Sequence, residues 1–152
     1  MRKTIAAAAV VSLLGLTGCS CLRTLSGAPP FDPKNPKVYV VESTDRKGKA
    51  VVVDQDPIFF FSEQGPKIQI RWHLQTRGYQ FDKALGIAAV TTYYGPKDQL
   101  RDCKVDPGEK EQTIYLCTYE NTQPGLYKYT ISVVSTDGST SPKPLDPMVG
   151  ND

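Results

Sequence analysis

The side chains with most chemistry to offer are four cysteines, at positions 19, 21, 103 and 117, and a single histidine, His73. A histidine can take the proton of a serine nucleophile when a carboxylate orients it, and Asp82, Asp98 and Asp102 are candidate orienters. However, the chain holds no G-x-S-x-G elbow to supply that nucleophile. His73 alternates with Gln69, Arg71 and Gln75, as residues on the wet face of a strand do. A solvated strand histidine is the simpler reading, and no catalytic residue is expected. Asp54 and Asp56 stand two apart in VDQDP, a spacing that could serve calcium. The glycine and later acidic ligand of a calcium loop are missing, so a turn fits better. With neither a CxxC nor a second histidine, tetrahedral zinc ligation is not expected, and neither is any other metal. Gly78, Gly86 and Gly95 stand singly, so no glycine-rich phosphate cradle is present and no cofactor is expected.

The first cysteine sits in a different context. Arg2 and Lys3 precede an uncharged stretch, TIAAAAVVSLLGLTG, that ends at Cys19. A positive start, an apolar core of roughly 15 residues and small residues at a junction describe an export signal. The stretch falls short of the ~20 residues of a permanent membrane span, which makes a transmembrane anchor the weaker alternative. Leu16-Thr17-Gly18-Cys19 resembles the lipobox of bacterial lipoproteins. The resemblance implies lipid attachment at Cys19, cleavage that removes residues 1–18, and acylation of the new amino group. A thiolate is the nucleophile such alkylation needs. One acyl chain binds a bilayer only marginally, whereas two or three give a lasting anchor. Ser20 stands where many Gram-negative lipoproteins carry an inner-membrane-retaining Asp, so the same resemblance favours the outer membrane, facing the periplasm.

Losing residues 1–18 also removes Arg2 and Lys3. The whole chain carries 18 basic and 16 acidic side chains, so the mature part is balanced at 16 of each. No Lys/Arg-rich run remains to suggest nucleic acid.

Ser20 to Pro36 is rich in Pro, Ser and Gly, and residues 19–36 read as a lipidated N-terminus followed by a flexible linker. At 5–6 Å times the square root of its length, the linker spans roughly 20–25 Å, which keeps the body close to its membrane. Residues 37–135 suit one domain of roughly 100 residues. Its signals are β-strands: 37–43, 49–54, 57–62, 67–75, 86–94, 113–119 and 126–134. In 67–75, Ile68, Ile70, Trp72 and Leu74 form one apolar face, and in the last segment Tyr127, Tyr129, Ile131 and Val133 form another. No segment after the signal keeps a helical stripe. About seven short strands with Gly/Pro turns and a tryptophan on a central strand predict an all-β fold, a single antiparallel β-sandwich of immunoglobulin-like type. Residues 136–152, polar and proline-containing, are expected to form a disordered tail.

Export places the remaining cysteines in an oxidising compartment. A hairpin through 106–112 would bring Cys103 and Cys117 onto neighbouring strands. Closing that loop of about 15 residues would contribute about 3 kcal/mol; two buried free thiols are the alternative. Cys21 then has no partner in its own chain and is expected to be a free thiol, open to linkage between copies or to further acylation. Tyr93 and Tyr94, beside Gly95-Pro96, form an aromatic pair at an expected loop and are the candidate recognition surface.

The order IQIRWHLQTRGYQFDKALGIAAV, a cysteine, then YLCTYENTQPGLYKYTISVV resembles a β-sandwich pattern of small exported proteobacterial proteins. It covers residues 67–134 and supports both the fold and the Cys103–Cys117 pair, while carrying no catalytic residue. The chain departs from it in lacking an aromatic residue soon after Gly86-Ile87. The combined expectation is a monomeric outer-membrane lipoprotein that binds rather than catalyses. It would act as an accessory module for another envelope protein or, alternatively, as an inhibitor of a hydrolase such as a lysozyme or protease.

Overall fold

The computed structural model describes residues 31–43, 48–90 and 99–152. Eleven strands occur among these residues: β1 (Lys37–Glu42), β2 (Lys49–Val53), β3 (Ile58–Phe60), β4 (Ile68–Leu74), β5 (Tyr79–Phe81), β6 (Ile87–Ala89), β7 (Leu100–Val105), β8 (Ile114–Tyr119), β9 (Gly125–Ile131), β10 (Val133–Ser135) and β11 (Met148–Asn151). They form a five-stranded sheet in the order β2-β1-β4-β8-β7, a four-stranded sheet in the order β3-β11-β9-β6, and the pair β10-β5. The chain is all-β, and the inward faces of these sheets share one core.

The alternation read from the sequence is the alternation that packs. Ile68, Ile70, Trp72 and Leu74 are buried while Gln69 and Arg71 are exposed. Tyr127, Tyr129, Ile131 and Val133 are buried from the other side. Trp72 lies on the central strand β4, its ring centroid 5.5 Å from that of Tyr129 on β9, and its indole N–H points to the Tyr129 hydroxyl at 3.4 Å. Phe60 meets Tyr119 at 5.6 Å, and Phe81 meets Tyr115 at 5.5 Å. Aromatic pairs therefore form the contact between the layers, in tilted geometries that favour ring quadrupoles.

Several expectations require correction. The sheets are mixed rather than wholly antiparallel: β1 runs parallel to β4, and β3 parallel to β11. The second parallel pair arises because both strands start at one anchor, where the Asp56 carboxylate, just before β3, accepts the Met148 N–H at the start of β11. The strand expected over 126–134 is two strands, β9 and β10. At Ser132 the backbone leaves one partner for another, its N–H bonding Gly86 and its carbonyl taking the Asp82 N–H. The strand expected over 86–94 is β6; residues 91–98 lie outside the described ones.

The domain also extends beyond residues 37–135 at both ends. Asp32 orders the turn before β1, accepting Lys34 N–H and Asn35 Nδ2. The Lys34 and Pro36 carbonyls then accept the Arg71 and His73 N–H groups of β4. The last part of the expected linker thus continues a sheet ladder.

Residues 136–152 are likewise not a disordered tail. The Lys143 N–H and carbonyl bond Lys49 and Val51 of β2, Leu145 exchanges both backbone bonds with Ile131, and β11 inserts between β3 and β9. Prolines are compatible with this because the backbone donors used are those of Lys143 and Leu145, alternating with Pro142 and Pro144. Pro142, Pro147 and Val149 are buried, which supplies the apolar burial that the polar composition conceals.

Candidate functional site

Of the residues singled out for chemistry, Cys103 and Cys117 are joined in a disulfide. Cys117 is on β8, fully buried and facing Ile70 of β4. Along β7, Arg101 faces Thr118 and Lys104 faces Leu116, so Asp102 and Cys103 together oppose Cys117. This is a β-bulge, and Asp102 takes the left-handed conformation (φ 53°) that accommodates the extra residue. Cys19, Cys21, Tyr93 and Tyr94 lie outside the described residues.

His73 is half-buried on the outer face of β4, with Nε2 3.3 Å from the Asn35 amide oxygen. Burial lowers its pKa, and the nearby cations of Arg71 and Lys37 lower it further. The carboxylates that oppose this shift are Asp106 and Glu109, not the candidates weighed from sequence. Asp82 instead caps the Ala84 and Leu85 N–H groups, Asp102 occupies the bulge, and Asp98 lies outside the described residues. Asp106 is engaged by the Gly108 N–H and by the Arg71 guanidinium, which hold its carboxyl below the usual carboxylate range. The arrangement is a surface ion pair beside a neutral imidazole.

Asp54 and Asp56 diverge. Asp54 accepts the Lys37 N–H at 2.8 Å and Asp56 the Met148 N–H at 2.9 Å, so each closes a different strand junction. Among the described residues, no group of three or more His, Cys, Asp or Glu side chains is arranged to hold a metal ion. No helix among them is long and apolar enough to cross a membrane.

A cleft of about 480 Å³ opens where the β4–β5 connection meets the start of β8, lined in part by Leu74, Arg77, Tyr79, Glu111 and Thr136. Arg77, Glu111 and Thr136 are exposed, so the cleft is open to water rather than desolvated.

The more distinctive surface is the outer face of the four-stranded sheet. Phe59 is 41%, Phe61 55%, Leu126 50% and Met148 42% exposed, although each is a large apolar residue. Register brings them together from three segments: Phe59 on β3 and Leu126 on β9 both flank Gly150 of β11, and Met148 lies two residues before that glycine. Gly150 is what lets the flanking side chains approach. A Cβ there would sit 2.6 Å from Leu126 Cδ2 and 3.4 Å from Phe59 Cδ2. Phe59 and Phe61 meet edge to face at 5.8 Å. Phe61 is fixed by its backbone. Its N–H bonds the Gln64 side chain, and its carbonyl accepts Asn121 Nδ2, which also bonds the Gly65 carbonyl. Contiguous exposed apolar side chains of this kind mark interaction surfaces in monomeric proteins.

No protein-family model matches the chain, and a search of curated proteins returns no match.

Proposed function

We propose that this protein is a lipid-anchored binding module of the bacterial outer membrane, facing the periplasm, and that it acts by docking another envelope protein rather than by catalysis. The observation that carries the reading is the exposed group of Phe59, Phe61, Leu126 and Met148 on one side of the four-stranded sheet. Burying such side chains against a partner contributes roughly 25 cal/mol per Å² of apolar surface, while leaving them in water gains the isolated domain nothing. The anchor is supported by the lipobox residues Leu16–Cys19, and the outer-membrane address by Ser20. Asp32, near the start of the described fold, follows Cys19 closely in the sequence, so a lipid on Cys19 would keep the domain near the membrane.

Two measurements in living cells test the reading. Palmitate labelling should mark the wild-type chain and disappear in Cys19→Ser; label that survives in the variant rejects the anchor. A photo-crosslinking residue at position 61 should join the chain to a resident envelope protein. Recovery of an exogenous lysozyme or protease instead would make the protein a hydrolase inhibitor.

A further inference from the structure

Resting on the binding reading above, we infer the partner's chemistry: the face formed by Phe59, Phe61, Leu126 and Met148 docks a protein segment whose apolar side chains are flanked by lysine or arginine. The argument is charge complementarity around the apolar centre. Asp152 sits beside Phe61, its carboxylate accepting the Ser62 N–H at 2.7 Å, and Glu63 follows in the same turn. At the opposite margin Asp56 holds the Met148 N–H, and Asp146 lies two residues before Met148. The lysine on this face, Lys128 opposite Met148, is already engaged by Asp146 at 3.2 Å. Among the described residues, Asp146 and Lys128 pair with each other, and the apolar centre is bordered by the remaining carboxylates of Asp56, Glu63 and Asp152.

That border discriminates among occupants. An anionic phospholipid surface would be repelled by Asp56, Glu63 and Asp152 while the aromatic residues tried to insert. A second copy joined about a two-fold axis would bring the same carboxylates against one another, which costs rather than stabilises. A segment with apolar anchors and flanking cations satisfies both parts: its anchors cover the four apolar side chains and its cations meet the rim. The border sets specificity and association rate, and the apolar centre sets residence time.

The test uses the full lipidated protein in phosphatidylcholine nanodiscs, with a fluorescent peptide alternating lysine with valine and phenylalanine, and a twin in which every lysine is glutamate. The lysine peptide should bind, with backbone amide NMR shifts confined to β3, β9 and β11, and the glutamate twin should not. Phe61→Ser and Leu126→Ser change exposed side chains and should keep the native circular dichroism. Each should weaken binding by at least about tenfold, the loss expected for a central anchor. Asp146→Asn with Asp152→Asn should weaken it and flatten its salt dependence. Equal binding of the two peptides, or binding indifferent to Phe61→Ser and Leu126→Ser, overturns the inference. So does a dimer, or flotation of a Cys19→Ser chain with phosphatidylglycerol vesicles, if either is abolished by Phe61→Ser.

Photo-crosslinkers at positions 61 and 104, on the outer faces of the two opposing sheets, separate the levels of failure. An envelope neighbour reached from 104 and not from 61 rejects this docking face and leaves the accessory role standing. Neighbours from neither position reject both.

Discussion

The Tyr119 hydroxyl donates a 2.9 Å hydrogen bond to the Asn151 side-chain oxygen, tying the end of β8 in one sheet to the C-terminal strand of the other. Both residues are buried, and the Tyr119 ring also packs between Phe60 and Tyr127. Burial pushes the Tyr119 phenol pKa up, so the hydroxyl remains a neutral donor throughout the ordinary pH range. The C-terminal strand is thus secured by polar contact as well as by the burial of Val149.

Tyr119→Phe removes this donor while keeping the ring. The Asn151 oxygen then loses its protein partner in a site only 5% exposed. Urea unfolding should show a loss of about 1–3 kcal/mol, the cost of an unsatisfied buried polar group. Deleting residues 148–152 should be far worse, because β3 loses the strand it pairs with. A truncated chain with an unchanged urea midpoint would show that β11 is dispensable.

The Cys103–Cys117 bond should matter mainly through the unfolded chain, whose freedom it limits over a short hairpin. Replacing both cysteines with alanine should lower stability by about 3 kcal/mol, and reductant should lower the wild type by a similar amount. Non-reducing mass spectrometry that finds two alkylatable thiols at these positions would refute the bond.

Gly86 precedes β6 where the Tyr115 ring passes over it. An added Cβ would lie 2.5 Å from Tyr115 Cε2 and 2.7 Å from the Asp82 carbonyl oxygen. The carbonyl belongs to the same turn that hands Ser132 from one sheet to the next, so neither neighbour is free to retreat. Gly86→Ala should cost about 1–3 kcal/mol from overpacking, against gains of under about 1 kcal/mol from stiffening the unfolded chain. A variant as stable as wild type in thermal melts would show that the ring moves aside.

Half of the exposed apolar face was legible before the fold. Phe59 and Phe60 are in β3, the extended backbone continues to Phe61, and side chains alternate, so a buried Phe60 forces its neighbours outward. Leu126 and Met148 join them only through the register of β3, β11 and β9, which no local pattern states. The segment MVGN carries no alternation because Gly150 is covered by its neighbours rather than by its own side chain. β7 shows no alternation for a related reason, and only the hairpin expected between Cys103 and Cys117 points to a strand there: the bulge at Asp102 and Cys103 breaks the period of two. Where one face was dry and the other wet, as in β4 and β9, burial and sequence alternation coincide.

His73 makes a prediction about pH. Its unfolded pKa is near the ordinary 6.5, and the folded value is lower because burial and the charges of Arg71 and Lys37 disfavour the imidazolium. The unfolded chain therefore takes up a proton at a higher pH than the folded one. The stabilising contribution is fully present above 6.5 and is lost as pH falls from there through the folded value. Urea midpoints should fall between pH 7.5 and 5.5, a window above the titration of most carboxylates, and His73→Gln should reduce that fall. The effect should be modest, because the ring is half exposed and solvent screens its neighbours. If the variant and the wild type show the same slope across this window, the imidazole is not held neutral by its surroundings, and Asp106 and Glu109 cancel the effects of burial and the two cations.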